Sequence, residues 1–302
     1  MSPRARIYTF VSLSAVGAAA AVVGITALTA NHPPKPLGPR PGKPPFAADW
    51  TAPRALTQEV RAAVGSVPRL RALASEHPHS SFVPLNLGLA LFWQRDDAGA
   101  LAAWKQAKRV QPDTPSAVRA GDLLHPNSPT GLPRFVPSFT RAQTRVQRLL
   151  VDGIRLQESG RPVSAEREFS GAAELAPDDP DAQVAAAVGL YDKDRPAASF
   201  ARLGPLVRRF PHAQTVRFHL GLLSIWLGDF AQARREFGLV VTENPKSAYA
   251  REAGVLLKRL GSVGTKWGKD EPFGLWRPSE SDATLPDRTG NSSEADERVG
   301  ER

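Results

Sequence analysis

Side chains able to carry chemistry are sparse in this chain and badly spaced for it. Its six histidines are His32, His77, His79, His125, His212 and His219, and the pair flanking Pro78 stands closest together. That pair has the right ligand type for a metal, but it falls in a turn between predicted helices, where imidazoles are ordinarily solvated. Glu166 and Glu168 are two residues apart on a predicted helix, so they face different ways and make a poor acid and base pair. Asp178, Asp179 and Asp181 cluster at the start of a predicted helix, where carboxylates cap free amides and complement the dipole. Cysteine is absent, which excludes disulfides, thiolate metal sites and cysteine nucleophiles. No Gly-rich phosphate loop, H-E-x-x-H or G-x-S-x-G motif occurs. The formal net charge of +9 is spread out, with no Lys or Arg run longer than two, so a nucleic-acid footprint is not expected. The expectation is a non-enzymatic protein without cofactor or metal. The competing enzyme reading, a glycan-acting protein of the cell envelope, would need a carboxylate such as Glu158 or Glu174 in a sugar cleft.

The elements that would position any site follow a period. Pro78 and Pro112 are 34 residues apart, as are Pro177 and Pro211, and Pro211 and Pro245. A fixed spacing of this size marks stacked supersecondary units. Aligned on the prolines, units span 81–114, 146–179, 180–213 and 214–247, with a degenerate one at 47–80 and a closing helix at 247–260. Small residues recur at Gly88, Gly153, Ala187 and Gly221, where two helices must approach closely. Ala100, Ala165 and Ala233 face them from the second helix, and Trp104, Phe169 and Phe237 fill the following slot. The 180–213 unit lacks that aromatic. Each proline ends a helix, because it cannot continue the backbone ladder. From Pro112 to Pro177 is 65 residues, three short of two periods, and Asp113 to Thr140 holds five prolines. That stretch predicts a helix near Ser116–Leu124, then an irregular interruption at which the array bends or divides.

These residues resemble the tetratricopeptide repeat family, of a membrane-anchored bacterial type. The resemblance implies an all-α solenoid of helical hairpins, with a ligand groove lined by the first helix of each hairpin. On that basis the groove candidates are Phe82, Leu85, Leu89, Phe92 and Trp93 in one unit, and Phe218, Leu222, Ile225 and Trp226 in the last. The same positions in the middle units hold Gln147, Leu150, Ile154, Gln157 and Glu158, then Asp181, Val184, Val188, Tyr191 and Asp192. An apolar groove with aromatic anchors implies an apolar helix or extended peptide as partner. Of the Lys and Asn set that clamps a terminal carboxylate, only Asn86 is present. The alternative for the aromatics is packing between hairpins.

The ends are of a different composition. Ile7 to Ala30 is 24 residues without a charge, preceded by Arg4 and Arg6, which predicts a transmembrane signal-anchor with the remainder outside the cytoplasm. Cleavage near Ala30, giving a secreted binding protein, is the alternative. Residues 31–46 hold seven prolines and read as a stiff spacer of up to about 50 Å. Residues 262–302 are poor in apolar side chains and predict a disordered tail. Within it Trp267, Phe273, Leu275 and Trp276 form an apolar island, expected to dock on the chain's own groove or on a partner. The overall expectation is an extracytoplasmic scaffold that binds a protein or peptide partner.

Overall fold

The computed structural model describes residues 38–263. The expected anchor at 7–30 and the tail island around Trp267 and Trp276 lie outside the described residues. Among the described residues every regular element is a helix, and no helix is long and apolar enough to cross a membrane.

Helices pair in sequence. The first hairpin is α1 (Arg54–Ala63) with α2 (Val67–Glu76), and the second is α3 (Phe82–Trp93) with α4 (Asp97–Val110). After α5 (Pro115–Leu124) comes a long irregular stretch, then the hairpin α6 (Arg145–Glu158) and α7 (Pro162–Leu175). Helix α8 (Pro180–Gly189) is answered by two short pieces, α9 (Ala197–Leu203) and α10 (Leu206–Arg209). The array finishes with α11 (Gln214–Trp226), α12 (Phe230–Glu243) and α13 (Ala248–Val263). Except across the irregular stretch between α5 and α6, consecutive helices pack on one another, the arrangement of a helical solenoid.

The periodic prolines have one structural position. Pro78, Pro112, Pro177, Pro211 and Pro245 each stand two residues after the end of α2, α4, α7, α10 and α12. Helix starts are capped from nearby side chains. Asp96 accepts from Gly99 N, Asp229 from Gln232 N, and Thr144 and Gln147 form a reciprocal capping box. Of the acidic cluster, Asp179 caps α8 and Asp178 pairs with Arg209 at 2.8 Å, while Asp181 turns elsewhere.

Close approach explains the small residues. A Cβ on Gly88 would lie 2.3 Å from Trp104, one on Gly153 2.3 Å from Phe169, and one on Gly221 2.7 Å from Phe237. In three hairpins, therefore, an aromatic ring of the second helix packs directly against the bare backbone of the first. Burying each ring contributes about 2 kcal/mol. Seven residues after each such glycine the chain turns through a positive φ, at Arg95 (69°), Gly160 (69°) and Gly228 (76°). Arg95 carries the strain that glycine avoids in the other two. In the α8 unit Leu203 replaces the ring, and Ser199 Oγ donates to the Ala187 carbonyl. Pro205 separates α9 from α10, where a missing amide breaks the ladder.

The apolar interior is not continuous. One cluster joins α1 to α5, and two further clusters fill α6 to α13. Polar groups bridge the two parts. Lys108 Nζ donates to Asp192 at 2.6 Å and to Asp194, and His125 Nε2 lies 2.6 Å from Asp194 Oδ1. Burial alone would lower the Lys108 pKa, but the two carboxylates outweigh it and hold the ammonium above its usual value. Lys193 is enclosed, donating at 2.6 Å to both Asp122 and the Pro129 carbonyl. Asp113 accepts from Ser164 N at 2.9 Å and from Arg161.

Candidate functional site

Prolines 126, 129, 133 and 137 keep the stretch after α5 from forming a helix, and each removes a backbone donor. An extended segment without ladder partners must find side chains for its remaining amides if it is covered. Residues 131–138 do so at four amides, with partners on α5, α6, α8 and α11, and Val136 also bonds α13 through its carbonyl. Gly131 N donates to Asp122 at 2.8 Å. Gln157 holds this strap by two bonds: its Oε1 accepts from Phe135 N at 3.2 Å and its Nε2 donates to the Pro133 carbonyl at 3.4 Å. Val136 is held on both sides, its N–H donating to His219 Nε2 at 2.9 Å and its carbonyl accepting from the Tyr249 hydroxyl at 2.8 Å. Ser138 N donates to Asp181 Oδ2 at 2.9 Å, and the Ser138 hydroxyl bonds the same oxygen.

The Phe135 ring is 2% exposed. It stacks on His219 with centroids 5.1 Å apart and meets the edge of Phe169 at 5.8 Å. His219 is fully enclosed, and its partners assign its proton. Nδ1 lies 2.7 Å from the Thr215 carbonyl, which can only accept, so Nδ1 carries the hydrogen and Nε2 accepts from Val136. Burial pushes the pKa of this neutral ring down to about 4. Burial also raises the Tyr249 phenol well above its ordinary value, leaving it a donor at any ordinary pH.

A second extended segment lies on the other part of the array. Ala47 N donates to Asn86 Oδ1 at 2.9 Å, and Asn86 Nδ2 donates back to the Ala47 carbonyl at 3.1 Å. Phe46 sets its ring edge-on to Phe82 with centroids 6.1 Å apart. Asp49 Oδ2 accepts from Ser116 N at 3.1 Å, at the start of α5. Farther out, Arg40 N donates to the Trp93 carbonyl at 2.7 Å and the guanidinium covers the Phe92 ring at 3.8 Å. From residue 38 onward, then, the expected spacer is docked on α3 and does not stand clear of it.

Between the two extended segments lies a cavity of about 1010 Å³. Trp50, Leu89 and Val118 line one side and Leu222, Ile225, Trp226 and Leu256 the other, with the strap along it. Trp50 is 72% exposed at this site. Of the residues assigned from sequence, the structure brings Leu89, Phe218, Leu222, Ile225 and Trp226 together on this cavity. Phe82 and Leu85 are enclosed, Phe82 under Phe46, while Phe92 and Trp93 meet the Arg40 segment instead. Glu158 also lines the cavity and pairs with Arg134 at 3.5 Å, whereas Glu174 is exposed elsewhere. His219, Tyr249 and the clasping role of Asn86 were not assigned from sequence; the signal present was a polar residue inside the apolar faces of α3 and α11.

The arrangement has the chemistry of backbone recognition. Amide, imidazole and hydroxyl groups bind the N–H and C=O of extended chain, and rings receive one Phe side chain. No family model matches the chain, and no curated protein matches it.

Proposed function

We propose that this chain is a non-enzymatic scaffold that recognises extended protein segments, a helical-hairpin array of the tetratricopeptide type held at the outer face of a membrane by residues 7–30. The observation that supports it is the clasp on Val136: a buried imidazole and a buried phenol read both backbone groups of a proline-flanked residue, while Phe135 supplies the apolar anchor. This is the division of labour that binds extended peptides, with main-chain bonds giving affinity and a side-chain pocket giving selectivity. The apolar cavity beside the strap is the place where a partner segment of the same kind would lie.

The test is a titration of the full chain with fluorescent peptides built on the two docked segments, one containing Phe-Val-Pro as at 135–137 and one containing Pro-Phe-Ala as at 45–47. Such peptides should bind, and versions with Pro and Phe replaced by Ser should not. Leu222→Asp, at a half-buried wall position, should weaken binding ~10-fold or more, the range expected for losing an anchor contact. Equal binding of each peptide and its Ser version, or by the two proteins, would remove the reading. Removal of residues 1–30 should release the protein from membranes on fractionation.

A further inference from the structure

The described chain docks one kind of segment twice. In Phe46-Ala47-Ala48-Asp49, the Phe ring packs on Phe82, Asn86 binds both backbone groups of the next residue, and Asp49 reaches the start of α5. In Phe135-Val136-Pro137-Ser138, the Phe ring packs on His219, two side chains bind both backbone groups of the next residue, and Ser138 reaches Asp181 at the start of α8. The order is the same: ring, clasped backbone, one residue, then a polar group at a helix start. Both segments bound the same cavity.

The first of these segments has a partial counterpart outside the described residues, which shares its Pro-Phe and the small residue that follows but not the polar fourth residue. Pro-Phe occurs twice in the chain, as Pro45-Phe46 and Pro272-Phe273. Each is followed by a small residue, Ala47 or Gly274, and then by a tryptophan, Trp50 or Trp276. The chain also leaves the described structure beside the cavity, because Leu256 and Leu260 of its last helix form part of the wall. From Val263 to Phe273 is ten residues, which extended can span up to about 33 Å.

We propose that residues 272–276 are the resident occupant of this cavity, with Phe273 and Trp276 against Leu222, Ile225 and Trp226. The assignment rests on the peptide-recognition reading above and adds regulation to it. A partner peptide enters by displacing the chain's own tail, so its apparent affinity is reduced by the tail's effective concentration.

The absence of cysteine makes the test clean. In the full chain, Glu252→Cys on the cavity wall is combined with Gly274→Cys, and Leu239→Cys on an exposed part of α12 with the same partner as control. A short bis-maleimide should join 252 to 274 within one chain ~10-fold or more faster than 239 to 274, as expected for a docked against a free tether. Adding Phe273→Ala and Trp276→Ala should bring the two rates together. Equal rates in the unaltered tail, or crosslinks that form between chains in proportion to concentration, would overturn the proposal. Titration of the uncrosslinked proteins with Pro-Phe peptide separates the two readings: peptide binding without a cis crosslink leaves the scaffold function standing and removes the tail, and a cis crosslink with no peptide binding does the reverse.

Discussion

The backbone N–H of Val136 donates to Nε2 of His219 across 83 residues of sequence, and that single bond fixes the ring as the neutral Nδ1–H form. Protonating Nε2 would set one donor against another inside a dry interior. The ordinary pKa of 6.5 falls to about 4 in the folded chain because burial disfavours the cation. The unfolded state therefore takes up the proton first as pH falls. The stability tied to the neutral ring is complete above about 6.5 and is lost as pH falls toward about 4, a change of about 3 kcal/mol. Urea midpoints measured across that window should fall for the native chain and fall less for His219→Gln. Parallel curves would show that the ring is not held neutral.

The contact of Gly153 with Phe169 makes a separate prediction. A methyl group there would lie 2.3 Å from the ring, so Gly153→Ala should destabilise the protein by about 2 kcal/mol through overpacking. Phe169→Leu removes the obstructing edge. The double variant should be less destabilised than the sum of the singles by about 1 kcal/mol, which a denaturant double-mutant cycle measures. Additive effects would mean that the helices separate to admit the methyl group.

Much of the all-helical architecture can be read from the residues, because its signals are local. A proline two residues after a helix end and a glycine under a ring each act within one hairpin. What lies across the groove is another matter. Pro133 and Pro137 announce that the strap is not helical, but nothing near them tells where an extended segment will lie. Its partners Asp181, His219 and Tyr249 are 43, 83 and 113 residues away from their bonded atoms in the strap. Nothing in the residues around His219 distinguishes it from a solvated histidine, although Phe218 beside it belongs to an apolar face. Phe82 and Leu85 have the right helix for a groove, yet Phe82 is covered by Phe46 from a segment whose seven prolines suggested a free spacer.

That docked segment depends on Asn86. The side chain is fully buried and holds both backbone groups of Ala47, while a further bond to the Phe82 carbonyl keeps it in place. Asn86→Ala should cost about 1–3 kcal/mol, the penalty for leaving covered backbone groups unpaired. Amide exchange should speed up at residues 47–51 and stay unchanged in α6 to α13, whose apolar clusters are separate. Exchange that quickens everywhere would show that the first segment supports the whole array rather than lying on it.

The strap offers a test by complementation. Phe135 is its one deeply buried ring, and Phe135→Ala should cost about 3–5 kcal/mol of strap docking through lost burial and the cavity left behind. The clasping groups Gln157, Asp181, His219 and Tyr249 sit on helices and remain where they are when the strap leaves. A synthetic peptide of residues 132–138 should therefore bind the Phe135→Ala chain and be excluded from the native one, where the tethered segment has the higher effective concentration. Adding His219→Gln to Phe135→Ala should abolish the binding, since the acceptor for Val136 N–H is altered. Calorimetric titration of the three proteins distinguishes the outcomes: no uptake by the Phe135→Ala chain means that the strap is structural filling, whereas uptake dependent on His219 means that the array recognises extended backbone whichever chain supplies it.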